Sequence, residues 1–222
     1  MNRTLFYELT SEYLDSLIHL KEQGIVPLLW DSLRIGLTEE ERQQVSQVTR
    51  HLRRYTLTRM NEATIWSRAI FPMLLMVEDD SIMAQAQVPL KAEFPDFSLE
   101  GIADGALGSG ITGVVQSPYL VVVEAKRGLE SADPQYALYG QMLAAAWKNY
   151  RNDGLSTQEI YGCYTIADAW TFVHGTAIYL NEDKPQLTIQ RSNELVERTE
   201  AESILEILKG ITAKYLDKRK TE

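Results

Sequence analysis

The run Tyr-Leu-Val-Val-Val-Glu-Ala-Lys at residues 119–126 constrains the fold more than any other feature of this chain. Side chains alternate across a strand, so Glu124 and Lys126 share one face with Leu120 and Val122. The residues predicted on the opposite face are Tyr119, Val121, Val123 and Ala125. The segment is therefore expected to be a buried strand that becomes charged abruptly at its end. Because burying an unpaired charge costs free energy, the charges of Glu124 and Lys126 at the end of a buried strand indicate a functional role.

A second carboxylate comes from the strand predicted just upstream. Residues 99–105, Leu-Glu-Gly-Ile-Ala-Asp-Gly, have a strand pattern that ends in Asp104. Two carboxylates and a lysine at the ends of neighbouring strands could bind a divalent cation and donate or accept a proton beside it. A backbone carbonyl, that of Ala125, lies between Glu124 and Lys126 in the sequence.

The composition narrows the class of protein without naming a function. The net charge of -9 argues against nonspecific nucleic-acid binding by the whole surface, although it leaves room for a local basic groove. A single cysteine, Cys163, excludes an internal disulfide and a cysteine zinc cluster. No export signal is recognisable, and the longest apolar run, residues 69–77, is too short to cross a bilayer. We expect a soluble, cytoplasmic protein that makes no membrane contact.

Periodicity predicts two regions, residues 1–60 and 61–222. No linker separates them, so we expect them to form one compact unit. The first is predicted to be a helical extension, with an apolar stripe at Leu5, Leu9, Tyr13, Leu17 and Leu20 and a capping box at residues 38–41. The second starts with a helix over about 61–76, bent at Pro72. Strands are predicted at 82–91, 97–106, 118–126, 159–166, 170–180 and 186–191, with helices at 133–150 and about 193–218.

From residue 61 the predicted order is helix, three strands, helix, strand. With Asp104 on the second strand and Glu124-Ala-Lys126 on the third, this order resembles the PD-(D/E)XK nuclease superfamily over roughly residues 61–166. Residues 61–74 resemble the acidic first core helix of restriction-subunit nuclease domains. Gln135 and Tyr139 resemble the Gln-x-x-x-Tyr element of RecB-like members. One departure is visible, because Ala103 replaces the proline that names the motif.

The resemblance implies an α/β fold with a restriction-endonuclease-like αβββαβ core, in which a mixed central sheet is flanked by helices. It also implies a Mg²⁺-dependent or Mn²⁺-dependent nuclease acting on DNA, in restriction, defence or repair. Asp104, Glu124 and the Ala125 carbonyl would hold the metal, and Glu62 could bind a second ion or a metal-bound water. Lys126 would orient or deprotonate a water or stabilise the transition state, three roles that the sequence does not separate. The candidate substrate contacts on the next helix are Gln135, Tyr139 and Gln141.

Other interpretations of the same residues stay open. Glu124 and Lys126 could form a surface ion pair at a strand end. Gln135 and Tyr139 could be a polar helix start with a half-buried tyrosine. The chain could also keep a nuclease-like fold without catalysis, as a nucleic-acid-binding or assembly module. No separate target-reading domain is recognisable, so a homodimer or a partner subunit is a further expectation.

Overall fold

A mixed sheet of eight strands, covered by helices on both faces, organises the chain in the computed structural model, which describes residues 2–110, 113–126, 128 and 133–221. The strands are β1 (Asn2–Leu5), β2 (His19–Ile25), β3 (Ile82–Glu93), β4 (Phe97–Ser109), β5 (Gln116–Lys126), β6 (Thr157–Ile166), β7 (Ala169–Ile178) and β8 (Gln186–Val196). Their order is β1-β4-β5-β6-β7-β8-β2, and β3 also pairs with β4. The pairs β1/β4, β5/β6 and β2/β8 are parallel, and the others are antiparallel.

Seven α-helices accompany the sheet in the described part of the chain. They are α1 (Ser11–Leu17), α2 (Pro27–Leu33), α3 (Glu39–Leu52), α4 (Glu62–Ile65), α5 (Phe71–Leu75), α6 (Pro134–Asp153) and α7 (Glu197–Thr221). We call the core between the sheet and α1 and α6 the α6-side core. The core between the sheet and α2, α3, α4, α5 and α7 is the α7-side core. Among the described helices, none is both long and apolar enough to cross a membrane.

Local sequence signals account for most helix ends. Thr38 caps α3 through the predicted box, since its hydroxyl accepts from the Glu41 amide while the Glu41 carboxylate accepts from the Thr38 amide. Asp133 caps α6, and Gly154 ends it in a left-handed conformation. A π-helical segment, Trp66–Ile70, connects α4 to α5 just before Pro72, where the ring cannot fit a regular turn. The predicted bend at Pro72 thus takes the form of a widened turn.

The prediction of a helical N-terminal extension is wrong for residues 2–25. This segment begins with β1 and ends with β2, and only α1 between them is an α-helix. β1 pairs with β4 and β2 pairs with β8, so long-range pairing overrides the helical spacing of the apolar residues. At the other end of the chain, β8 extends to Val196, and the last helix begins four residues later than predicted, at Glu197.

The strict alternation predicted for residues 119–126 is also wrong at its start. The pairing register of β4 with β5 shifts at Leu120, because Tyr119 pairs with Gly108 while Val121 pairs with Leu107. This bulge places Leu120 in the α7-side core and Tyr119 in the α6-side core, the reverse of the expected faces. From Val121 onward the alternation holds, so Glu124 keeps its predicted face.

Candidate active site

Asp104 and Glu124 lie side by side on neighbouring strands, but the prediction that the first strand ends in Asp104 is wrong, because β4 continues to Ser109. The register of the β4/β5 pair joins Gly105 to Val123, and one further step along it sets Asp104 opposite Glu124. Opposite residues of an antiparallel pair point to the same face. The Asp104 Oδ2 atom accepts a hydrogen bond of 2.8 Å from the backbone amide of Ala125, which fixes this carboxylate against the end of β5. The two predicted carboxylates are therefore brought together.

Glu124 is a buried carboxylate with two side-chain partners, and only 6% of its surface is exposed. Its Oε1 lies 2.6 Å from Lys126 Nζ, and its Oε2 accepts a hydrogen bond of 2.6 Å from Gln141 Nε2 on α6. Burial raises the pKa of Glu124, and the nearby charge of Asp104 raises it further, whereas Lys126 and Gln141 act in the opposite direction. Glu124 is therefore harder to ionise than an exposed glutamate.

Lys126 stays charged despite its surroundings. Burial acts to lower its pKa, but the hydrogen bond and charge of Glu124 outweigh this, with help from Asp104 and Glu62, and the net pKa is raised. The Lys126 side chain is 24% exposed, so part of it is in contact with solvent. Glu62 is exposed in the first turn of α4, behind the capping residue Asn61, and its charge acts on Lys126.

The backbone around Asp104 changes direction in a way that the sequence does not signal. In the pairing of β3 with β4, Gln87 lies opposite Asp104. Gln87 has a left-handed φ of 54°, and its Nε2 atom lies 3.4 Å from Asp104 Oδ1. Ala84 packs in the α7-side core and Val88 in the α6-side core, so β3 exchanges its faces at this point. Apolar residues occupy the even-numbered positions of β3 both before and after Gln87, so the sequence gives no sign that the strand exchanges its faces.

A tryptophan supports this bend from the other face. A Cβ atom at Gly105 would lie 2.5 Å from the ring of Trp66, so glycine allows the indole to sit directly against β4 next to Asp104. Trp66 also packs against Phe71 at 5.7 Å between ring centroids. The π-helical segment that follows the helix of Glu62 is therefore packed against the strand that carries Asp104.

Two of the predicted substrate contacts have other partners. Gln135 Oε1 accepts a hydrogen bond of 2.5 Å from Arg191 Nη1, and the fully buried Tyr139 donates one of 2.9 Å to Glu22 Oε1. Burial, with the charge of Glu22, raises the pKa of Tyr139. Arg191 lies 67 residues beyond Glu124 in the sequence and carried no motif that could have pointed to it. Gln141, predicted as a substrate contact, instead holds Glu124.

The donor set at the strand ends fits a hard divalent cation. Asp104 and Glu124 offer carboxylate oxygens, the Ala125 carbonyl belongs to the same segment, and Mg²⁺ prefers such oxygens together with waters. A bound cation would also offset the repulsion that raises the pKa of Glu124. Gln141 Oε1 is buried and has no partner among the described residues, which leaves an acceptor beside the carboxylates. Within the described residues, no three acidic, histidine or cysteine side chains group as metal ligands, so Glu62 stands apart from the carboxylate pair.

Comparisons with models of protein families and with curated proteins found no match to this chain.

Proposed function

We propose that this protein is a Mg²⁺-dependent nuclease that hydrolyses phosphodiester bonds in DNA. The observation that carries the proposal is the meeting of Asp104, Glu124 and Lys126 at one strand end, with Asp104 hydrogen-bonded to the amide of Ala125 between the other two. The order α4–α5, β3, β4, β5, α6, β6 supports a restriction-endonuclease-like core around them. Mn²⁺ would serve in place of Mg²⁺, since it takes the same oxygen ligands.

The roles follow from the charges of the site. Asp104, Glu124 and the Ala125 carbonyl would hold the cation, which when bound supplies neutralisation of charge on the phosphate. Lys126 has a raised pKa and is an ammonium at neutral pH, so it suits charge stabilisation and water orientation better than proton removal. Gln141 positions Glu124 from α6. Glu62, which is exposed in the first turn of α4, acts on Lys126 through its charge.

The cellular role and the partners are proposed from the resemblance to PD-(D/E)XK nucleases. The protein would act in the cytoplasm in restriction, defence or repair, alone, as a homodimer or with a partner subunit. Because the chain carries a net charge of -9, only a local patch can attract phosphate, and we expect cleavage to fade quickly as salt rises.

The decisive experiment replaces Lys126 by alanine and measures cleavage of plasmid and linear DNA with Mg²⁺ or Mn²⁺. We expect the wild type to cut and Lys126→Ala to lose about two orders of magnitude or more in rate, because a charge at the reacting centre is removed. Circular dichroism should show the same fold in both proteins, since Lys126 belongs to neither the α6-side core nor the α7-side core.

The chain offers a matched control in Lys91→Ala. Lys91 and Glu93 also form an ion pair of 2.6 Å two residues apart on one strand, but both side chains are about half exposed and lie away from Asp104 along β3. If this variant lost cleavage as strongly as Lys126→Ala, the loss would reflect charge alone and not the site. A wild type that binds DNA but cuts none with either metal would favour the alternative of a binding or assembly module.

A further inference from the structure

Arg191 is the centre of a polar cluster on the α6 face of the sheet. It pairs across β7/β8 with Val173, a residue of the α6-side core, so its side chain extends from β8 towards α6. There Gln135 Oε1 accepts a hydrogen bond from Arg191 Nη1. The first turn of α6 thus holds this arginine in place.

Tyr164 connects this cluster to the candidate active site. The parallel register of β5 and β6 pairs Tyr164 with Glu124, and paired residues of neighbouring strands share a face. Tyr164 packs against the α6-side core, which is the side from which Gln141 reaches Glu124. The guanidinium therefore lies on the same face of the sheet as the carboxylates, with β6 and β7 between its strand and that of Glu124.

The hydrogen-bonding capacity of Arg191 is not used up. A guanidinium carries five N–H donors; within the described residues this one donates from Nη1 to Gln135, its Nε is buried without a partner, and its Nη2 makes no hydrogen bond. Within the same residues, no carboxylate lies within ion-pair distance of it, and Glu22, whose charge acts on it, accepts from Tyr139. A part-buried cation with an unsatisfied donor indicates a missing anionic partner.

We propose that Arg191 binds a phosphate of the DNA backbone away from the scissile one, and that Gln135 holds it for this contact. Gln135 then serves the substrate indirectly, by orienting the arginine. The inference rests on the proposed function, because it takes the bound anion to be a phosphate of the substrate DNA.

The test is the salt dependence of binding of a fluorescein-labelled DNA duplex, measured by anisotropy in EDTA, with cleavage in Mg²⁺ assayed separately. We expect Arg191→Gln to weaken binding and to lower the slope of log affinity against log salt by about 0.9, the contribution of one duplex phosphate contact. Arg191→Lys keeps the charge and should keep the slope. The control is Arg151→Gln, at the opposite end of α6 where the arginine stacks on Trp147.

The outcomes separate this inference from the function on which it rests. A wild type that cuts DNA while Arg191→Gln keeps the full slope overturns the role of Arg191 and leaves the nuclease standing. Equal weakening by Arg191→Gln and Arg191→Lys, with lowered melting temperatures and an unchanged slope, assigns the residue to structure and also overturns the inference. A wild type that neither cuts nor binds DNA overturns both proposals.

Discussion

Asp104 and Ala125 are joined by a hydrogen bond of 2.8 Å between the Asp104 Oδ2 atom and the Ala125 amide. A carboxylate on one strand is thus held by the residue that separates Glu124 from Lys126 on the next. The bond fixes the spacing of the two carboxylates through the backbone, which is stiffer than a contact between two side chains. It also makes Asp104 replaceable by asparagine without loss of the contact, because an amide oxygen accepts the same bond.

The first prediction concerns metal binding by Asp104→Asn. Calorimetry with Mn²⁺ should show weak binding to the wild type, since few protein ligands are offered. The variant should bind at least about tenfold more weakly, because loss of a direct ligand exceeds the effect typical of an outer-shell partner. Glu93→Gln, which removes an exposed carboxylate from β3, should bind as the wild type does. Equal affinity of Asp104→Asn and the wild type would move the metal elsewhere.

The second prediction concerns the packing of Trp66 on Gly105. Gly105→Ala should lower the free energy of unfolding by about 1–3 kcal/mol, because the new methyl group would lie 2.5 Å from the indole and force it to move. Gly36→Ala is the control, since a Cβ atom there meets nothing within 4 Å. Urea unfolding followed by tryptophan fluorescence measures both. A Gly105→Ala protein as stable as Gly36→Ala would contradict the contact.

Sequence reasoning reached the parts of the site that lie on single, strongly patterned elements. The strand ending at Lys126 and the helix begun by Asp133 lie where their local signals predict, whereas β4 continues past Asp104 to Ser109 because β3 and β5 still pair with it there. These elements are decided by burial, by turn residues and by capping, which act over a few neighbouring positions.

The features it missed depend on contacts between distant segments. The apolar spacing of residues 5–20 fits a helix, yet β1 and β2 form because β4 and β8 offer them partners. The left-handed Gln87 leaves the apolar alternation of β3 unchanged in sequence. Arg191 and Gln135 come close together only because of the order of the strands in the sheet, so no local sequence pattern could indicate the pair.

The third prediction concerns Glu197, a fully buried carboxyl whose Oε2 accepts a hydrogen bond of 2.9 Å from Trp170 Nε1. Burial raises its pKa to about 8, against 4.5 for the exposed group, with a further contribution from the charge of Asp168. Between these two pH values the native protein keeps a proton that the unfolded chain releases, so this group makes stability fall as pH rises. The stability that protonation provides is complete below pH 4.5 and lost above about 8.

Glu197→Gln removes this titration while keeping an oxygen that can accept from Trp170. The variant should match the wild type near pH 5 and exceed it at pH 9 by on the order of a few kcal/mol in free energy of unfolding. Urea unfolding at the two pH values measures the difference. A gap between the two proteins that stays constant with pH would show that Glu197 titrates normally.

The fourth prediction concerns Gln141, whose amide donates to the buried Glu124. That hydrogen bond lowers the pKa of Glu124, so Gln141→Leu should raise it further. If cleavage requires ionised Glu124, the acidic limb of the profile of kcat/KM against pH should move to higher pH, while the plateau at higher pH stays near the wild-type value. Gln158→Leu, at another buried glutamine that contacts Asp153, should leave the profile in place.

The shape of this profile also separates the two roles open to Gln141. A side chain that contacts DNA directly would raise KM at every pH, because a substrate interaction lost from the ground state does not depend on the protonation of Glu124. A side chain that holds Glu124 shifts the limb and leaves KM on the plateau unchanged. We expect the second result, because the Nε2 of Gln141 is already engaged by Glu124 Oε2 at 2.6 Å and the side chain is 1% exposed. An acidic limb at the wild-type pH together with a raised KM would instead show that Gln141 contacts the substrate.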